Sequence, residues 1–303
     1  MTPLNRRRFL QASAAAGAAS LLAEPPTRPA EKPLRLGMLV AVEDNADAPL
    51  RLAHDLGFPT CQILTENLSD PMVTGIKNAV EKYGLEVTTL YSQGPEPHVY
   101  NFYDGPLTVG VVPLKYRRQR IDFFKRASDF ARKLGVPAFH THFGFIPEDP
   151  NAPVYAGAVE ALRELARHIK ANGQMMLYEG GHETPIALLR MIQDVGFDNQ
   201  FVNLDTGNII IYDKGNPLDA LEVIGRLVRG VHAKDAVFPT DPKIVGKEVP
   251  IGQGKADLAK VIPRLIDLGY NGPLTIEREI SGPQQIEDIK KEKVYLESVL
   301  EKV

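Results

Sequence analysis

Four side chains suited to a hard-metal site stand at the ends of four successive apolar runs. Glu179 closes Met-Met-Leu-Tyr, Asp205 closes Phe-Val-Asn-Leu, His232 lies near the end of the next run, and Glu277 follows Leu-Thr-Ile. If each run is a β-strand, alternate residues share a face, so Leu177 and Glu179, Asn203 and Asp205, and Thr275 and Glu277 point together. Three converging carboxylates would repel and drive proton uptake, whereas a divalent cation offsets the repulsion and accepts hard oxygens plus one imidazole. Glu179, Asp205, His232 and Glu277 are therefore the expected ligands of one divalent ion. Mostly oxygen donors suit Mn²⁺ or Mg²⁺ and tolerate Co²⁺ or Zn²⁺.

Other polar groups flank this set. His140 and His142 lie two apart near the end of an earlier run, His182 stands three residues beyond Glu179 after Gly180 and Gly181, and Lys234 is two beyond His232. His142, His182 and Lys234 are expected to donate hydrogen bonds to hydroxyl, carbonyl or alkoxide groups of an oxygen-rich ligand. His140, Asn208 and Glu66, the last at the end of the second run, join them as candidate substrate contacts, and Tyr212 is placed at the rim. Gly252-Gln253-Gly254-Lys255 lacks P-loop spacing; it is either an anion-binding turn or a tight loop bringing backbone near the pocket. Cys61, the only cysteine, sits in a hydrophobic strand as core filling, which excludes an internal disulfide and a thiolate metal cage.

Positioning these groups requires a regular frame. Apolar runs predict strands at 34–40, 60–65, 86–91, 138–143, 174–179, 201–205, 228–234 and 274–279. Amphipathic stretches predict helices at 45–56, 71–83, 121–134, 155–171, 185–195, 217–227, 258–268 and 283–300. Gly57, Gly84, Gly135, Gly173, Gly196 and Gly269 follow helices where a left-handed cap is needed. Eight strands alternating with eight helices favour an α/β fold closed as a (β/α)₈ barrel, and no dinucleotide fingerprint follows the first strand. Residues 93–120 make one long connection containing Tyr100, Phe102 and Tyr103, a candidate lid or pocket wall on the face where barrel enzymes bind substrate.

The whole chain, 303 residues with 44% hydrophobic content, can bury one large core, and a formal net charge of -3 disfavours a nucleic-acid partner. Arg6, Arg7 and Arg8, then Phe9-Leu10 and a short apolar run, read as a twin-arginine export signal in residues 1–32, leaving a barrel in 33–303. An extracytoplasmic, periplasmic protein without stable membrane insertion follows from that reading. The long connection and the last helix supply surface for a homo-oligomer.

The stretches Leu177-Tyr178-Glu179-Gly180-Gly181-His182, Asn203-Leu204-Asp205-Thr206-Gly207-Asn208 and Val231-His232-Ala233-Lys234-Asp235 carry a family likeness, as do Gly252-Gln253-Gly254 and Leu274-Thr275-Ile276-Glu277-Arg278-Glu279. From about residue 34 onward the chain resembles the xylose isomerase-like barrel superfamily, in its sugar phosphate isomerase/epimerase branch. The resemblance implies that Glu179 and Glu277 bind the metal and flank the substrate, with Asp205 and His232 completing the shell. Ketose 3-epimerases of that branch often carry histidine three residues after the aspartate; Asn208 stands there instead, and an amide cannot relay a proton.

The expected activity is metal-assisted proton transfer next to a carbonyl of a sugar or keto-polyol, through an enediolate, with Glu179 and Glu277 as acid and base and His182 or Lys234 steadying the oxygen. The alternatives are a metal-dependent lyase or dehydratase on an oxidised carbohydrate, metal-assisted phosphoester hydrolysis, and a noncatalytic carbohydrate-binding barrel.

Overall fold

A computed structural model describes residues 34–303; the expected export signal lies outside them. Strands β1 (Leu36–Ala41), β2 (Thr60–Leu64), β3 (Glu86–Tyr91), β4 (Ala138–Thr141), β5 (Met175–Glu179), β6 (Gln200–Asp205), β7 (Val228–Ala233) and β10 (Leu274–Ile276) pair in parallel and close into a barrel. The order around the barrel is β1-β10-β7-β6-β5-β4-β3-β2. A short antiparallel hairpin, β8 (Asp235–Val237) with β9 (Lys247–Val249), extends from the β7 end and was not foreseen from sequence.

Around the barrel lie α1 (Asp47–Asp55), α2 (Asp70–Tyr83), α3 (Gly105–Thr108), α4 (Leu114–Leu134), α5 (Tyr155–Ala171), α6 (Pro185–Val195), α7 (Asn208–Ile211), α8 (Pro217–Ile224), α9 (Leu258–Asp267) and α10 (Pro283–Leu300). Local chemistry sets their ends. Ser69, Thr184 and Asn216 each accept a backbone N–H of the first turn, a proline stands at the start of those same helices, and all six expected cap glycines take positive φ. Inward stripes do the packing: α4 buries Ile121, Phe124, Ala127, Phe130 and Ala131 at helical spacing. At about 2 kcal/mol per large side chain, such stripes dominate the fold's stability.

The strand alternation sorts the core into two. Cys61, Ile63, Leu90, Phe139, Met176, Val202, Val231 and Leu274 belong to the buried hydrophobic core. The alternate positions are polar and equally buried: Thr60, Gln62, His140, Asn203, His232 and Thr275. Burying those groups without partners would cost several kcal/mol, so the barrel interior must satisfy them mutually or hold a ligand.

Most boundaries shift by a few residues, and three of the differences bear on the site. The helix expected at 121 begins seven residues earlier, at Leu114, because Arg117 and Arg120 turn inward to bind carbonyls instead of ending a solvated loop. The fourth strand stops at Thr141, leaving His142 and Phe143 on an extension to which the long connection bonds through Val111 N–H. The last strand ends at Ile276 instead of Glu279, since the Glu279 N–H goes to the Glu248 carboxylate and Arg278 pairs with Glu248 and Asp288.

Candidate metal centre and the cavity around it

The four expected ligands meet inside the mouth of the barrel. Register places Asp205 beside His232 and His232 beside Thr275, two residues before Glu277. His232 Nδ1 lies 2.7 Å from Glu179 Oε1, 3.0 Å from Glu277 Oε2 and 3.9 Å from Asp205 Oδ2. One donor atom from each of the four falls within 4.8 Å of the others, and all four residues are buried. A second, overlapping group substitutes His140, whose Nε2 is 3.2 Å from Glu179 Oε2.

Hydrogen bonds decide which atoms face the centre. Asn203 Nδ2 donates to Glu179 Oε2 at 2.7 Å, and Gln62 Nε2 donates to Asn203 Oδ1 at 3.2 Å. Gln62 Oε1 is thereby left to accept from His232 Nε2–H at 2.9 Å, which fixes the tautomer and presents Nδ1 inward. Gly230 makes room for this chain, because a Cβ there would sit 2.3 Å from Asn203 Oδ1. The backbone N–H groups of Gly207 and Asn208 hold Asp205 Oδ1, both at 2.7 Å, leaving Oδ2 free.

Asp205 Oδ2 and His232 Nδ1 are buried without hydrogen-bond partners among the described residues. These two orphaned atoms, with an oxygen from each of Glu179 and Glu277 within 4.8 Å, fit a divalent cation.

Electrostatics say the same. Burial pushes Glu179 up, but His232 and His140 outweigh it and hold its carboxyl well below the usual range. Burial likewise opposes ionisation of Glu277, which Lys234 and His232 hold low. Asp205 goes the other way: burial raises it well above the ordinary value, with Glu277 and Glu179 adding to the rise against Lys234. Burial alone would depress His232, yet Glu179 and Glu277 hold it well above an ordinary histidine. Three carboxylates therefore coexist only with borrowed positive charge or a shared proton.

Lys234 is wholly buried behind the centre. Its ammonium lies 3.2 Å from Glu277 Oε2, 3.5 Å from Asp205 Oδ2 and 2.5 Å from Glu279 Oε1, and it donates to Asn208 Oδ1 at 3.2 Å. Burial would lower its pKa, but Asp205, Glu277 and Glu279 raise it well above the usual value, so it stays charged.

A cavity of about 640 Å³ opens above the centre, lined in part by Tyr91, Tyr100, His142, His182, Asn208 and Tyr212. The structure thus brings His142, His182, Asn208 and Tyr212 to the cavity wall, and His140 stacks on Tyr91 at 4.4 Å between rings. Glu66 does not line it. Its carboxylate accepts Ser92 Oγ–H and the N–H groups of Gln93 and Gly94, fastening the start of the long connection. The turn at Gly252 is also occupied from within: Gly252, Gly254 and Ala256 N–H groups bind the Asp235 carboxylate, each at 2.9 Å. Of its two readings, the tight internal loop is the one realised.

Sequence reading missed Gln62, Glu279 and the site position of Tyr100. An amide in the middle of Thr-Cys-Gln-Ile-Leu was the available signal for Gln62. Replacing it with leucine is expected to leave His232 Nε2–H unpaired in a dry interior and weaken metal binding about 10–100-fold. Titrating stripped protein with Mn²⁺ measures this, and an unchanged affinity would remove Gln62 from the supporting shell.

Comparison with known proteins places this geometry. Residues 50–299 match the family described as xylose isomerase-like TIM barrel, and residues 3–23 match the twin-arginine translocation pathway signal sequence. The latter match marks the mature protein for export from the cytoplasm. A xylose isomerase domain protein from Planctomyces limnophilus is 32% identical, with a TM-score of 0.85 over 90% of this chain and 99% of that one. A D-tagatose 3-epimerase-like protein, 20% identical over 89% of this chain and 99% of that one, shares the fold at a TM-score of 0.69. A protein of Methanocaldococcus jannaschii is 27% identical over 203 residues, which cover 62% of this chain and 66% of that relative's length. Among the described residues no helix is long and apolar enough to cross a membrane.

Proposed function

This chain belongs to the xylose isomerase-like TIM barrel family, and from that premise we propose that it is a divalent-metal-dependent isomerase or epimerase of a sugar or keto-polyol. The carrying observation is the pair of carboxylates, Glu179 and Glu277, both held ionised and lying 2.7 and 3.0 Å from His232 Nδ1. Glu179, Asp205, His232 and Glu277 would hold the ion, with Mn²⁺ or Mg²⁺ best suited to the oxygen-rich set. When bound, such an ion stabilises negative charge developing on a substrate oxygen.

The remaining chemistry belongs to the side chains. One of Glu179 and Glu277 removes the proton from the carbon next to the carbonyl, and the other returns one; return to the opposite face inverts the centre. Both carboxylates stay ionised, Glu179 through His232 and His140 and Glu277 through Lys234 and His232, so each is free of its own proton and able to accept one. Lys234 stays charged and sets the position of Glu277, while Asn208, tied to Lys234, offers its amide to a hydroxyl without moving a proton. His182 and His142 also line the cavity, and burial keeps both rings neutral as hydrogen-bonding groups.

The D-tagatose 3-epimerase-like relative makes free ketohexoses the first substrates to test. Metal-loaded protein incubated with D-tagatose, D-fructose or D-psicose in D₂O is expected to incorporate deuterium next to the carbonyl, read by NMR. Absence of incorporation across a panel of keto-sugars and keto-polyols would end the proton-transfer reading.

A further inference from the structure

The long connection after β3 is not a free loop. Arg120, fully buried on α4, donates to three of its carbonyls: Gly110 at 2.8 Å, Pro97 at 2.7 Å and Pro95 at 3.1 Å. Arg117 holds the Val111 and Val112 carbonyls at 2.8 and 2.5 Å. Gly110, at φ 68°, packs so closely on the β4 extension that a Cβ would lie 2.1 Å from the Phe143 carbonyl carbon. Glu66 fastens the other end. A guanidinium buried without a carboxylate partner costs several kcal/mol of desolvation, and here carbonyls of a single segment compensate it. The segment is thereby built as a rigid wall.

What the wall delivers is Tyr100. Its hydroxyl is buried without a hydrogen-bond partner among the described residues, and its ring lies 5.3 Å from that of His142 and 5.9 Å from that of His182. His142 and His182 are themselves 4.5 Å apart, and His182 is fixed between Phe145 and Tyr212 at 4.4 and 4.3 Å. Among the described residues His142 Nδ1 and both His182 nitrogens also lack hydrogen-bond partners. Four orphaned polar atoms on three clustered, rotamer-locked rings make up one polar wall of an otherwise partly apolar cavity.

We propose that Tyr100, His142 and His182 form a hydroxyl-reading subsite beside the metal centre, and that Arg120 is the positioning residue that holds Tyr100 in it. The inference rests on reading the cavity as a carbohydrate site. Burial keeps His142 low, at about 4, and His182 well below an ordinary histidine. Each neutral ring then offers one donor and one acceptor, and the phenol offers both; that is the complement of neutral hydroxyl groups and a poor match to a phosphate or carboxylate.

The test uses D-sorbitol, which carries hydroxyls but no carbonyl, with the metal-loaded full chain and ligand-observed NMR. Tyr100→Phe removes one oxygen and keeps the ring; its sorbitol Kd is expected to rise about tenfold, about 1.4 kcal/mol, with metal content and melting temperature unchanged. Arg120→Lys is expected to raise Kd by a similar factor, and the double variant no further than Tyr100→Phe alone, because Arg120 acts through Tyr100. Glu66→Gln loosens the same segment from its other end and should move Kd in the same direction, which covers an Arg120 variant that fails to fold. Equal sorbitol affinity in wild type and Tyr100→Phe, additive losses in the double variant, or no sorbitol binding to wild type would each overturn the proposal. Sorbitol binding that depends on Tyr100, with no deuterium uptake by any ketose, would sink the proton-transfer reading alone; deuterium uptake indifferent to Tyr100 would sink only the subsite.

Discussion

Changing Glu277 to glutamine is expected to cut carbon-bound deuterium exchange about a thousandfold or more, and to leave the protein with well under one ion per chain after gentle purification. Glutamine keeps the volume and fills the same cavity wall, so the loss is chemical. The amide cannot accept the substrate proton, and the charge that partners both His232 Nδ1 at 3.0 Å and Lys234 Nζ at 3.2 Å disappears. Lys234 retains Asp205 and Glu279, so the fold should survive with a modest fall in melting temperature. Glu279→Gln is the internal comparison: that carboxylate touches Lys234 but is half exposed and stands outside the ligand cluster, so its effect on exchange should be far smaller. Exchange rates and elemental analysis of the two variants side by side check this, and a Glu277→Gln protein with full activity removes Glu277 from the site.

Metal affinity is expected to rise steeply with pH. Burial, with Glu277 and Glu179 adding to it against Lys234, holds the free Asp205 carboxyl well above its ordinary range, and the carboxylates hold His232 well above its own despite burial. Both groups therefore keep protons in the metal-free protein at pH values where they would ordinarily have lost them. An ion must displace those protons to bind, so acid competes with it: affinity falls as pH falls, by up to about two log units per pH unit while both protons remain. Calorimetric titration with Mn²⁺ in buffers of different ionisation heats reads the protons directly, with release of between one and two per ion expected. The linked stabilisation, about 2.7 kcal/mol at a hundredfold excess over Kd, should appear as a rise in melting temperature that is larger at pH 8 than at pH 6 for the same ion concentration. Ion binding that released no protons and ignored pH would mean that Asp205 and His232 are not ligands.

The rigid wall carrying Tyr100 bears on how this site excludes water. A connection of this length on the catalytic face would ordinarily be suspected of opening and closing. Here the buried guanidinium of Arg120 would have to leave its carbonyls in a dry interior for the segment to move, which makes a preformed pocket the lower-energy arrangement. Tyr100 and the hairpin residues Lys247 and Glu248 are all part of the lining of that pocket.

The strand and helix rhythm, the glycine caps and the four residues of the buried cluster were legible in the chain because each is a local property: periodicity along a strand, a left-handed turn after a helix, a polar residue ending an apolar run. The export signal was legible for the same reason. Gln62, the plugging of the Gly252 turn by Asp235, the fastening role of Glu66 and the inward turn of Arg120 were not. Each depends on which segments become neighbours. His232 and its acceptor Gln62 are 170 residues apart and meet only across the closed barrel interior. Sequence could therefore name the members of the cluster, since strand alternation sends them inward whatever lies opposite. Only closure of the sheet decided what would face them, because a buried polar atom takes its partner from space and not from chain order.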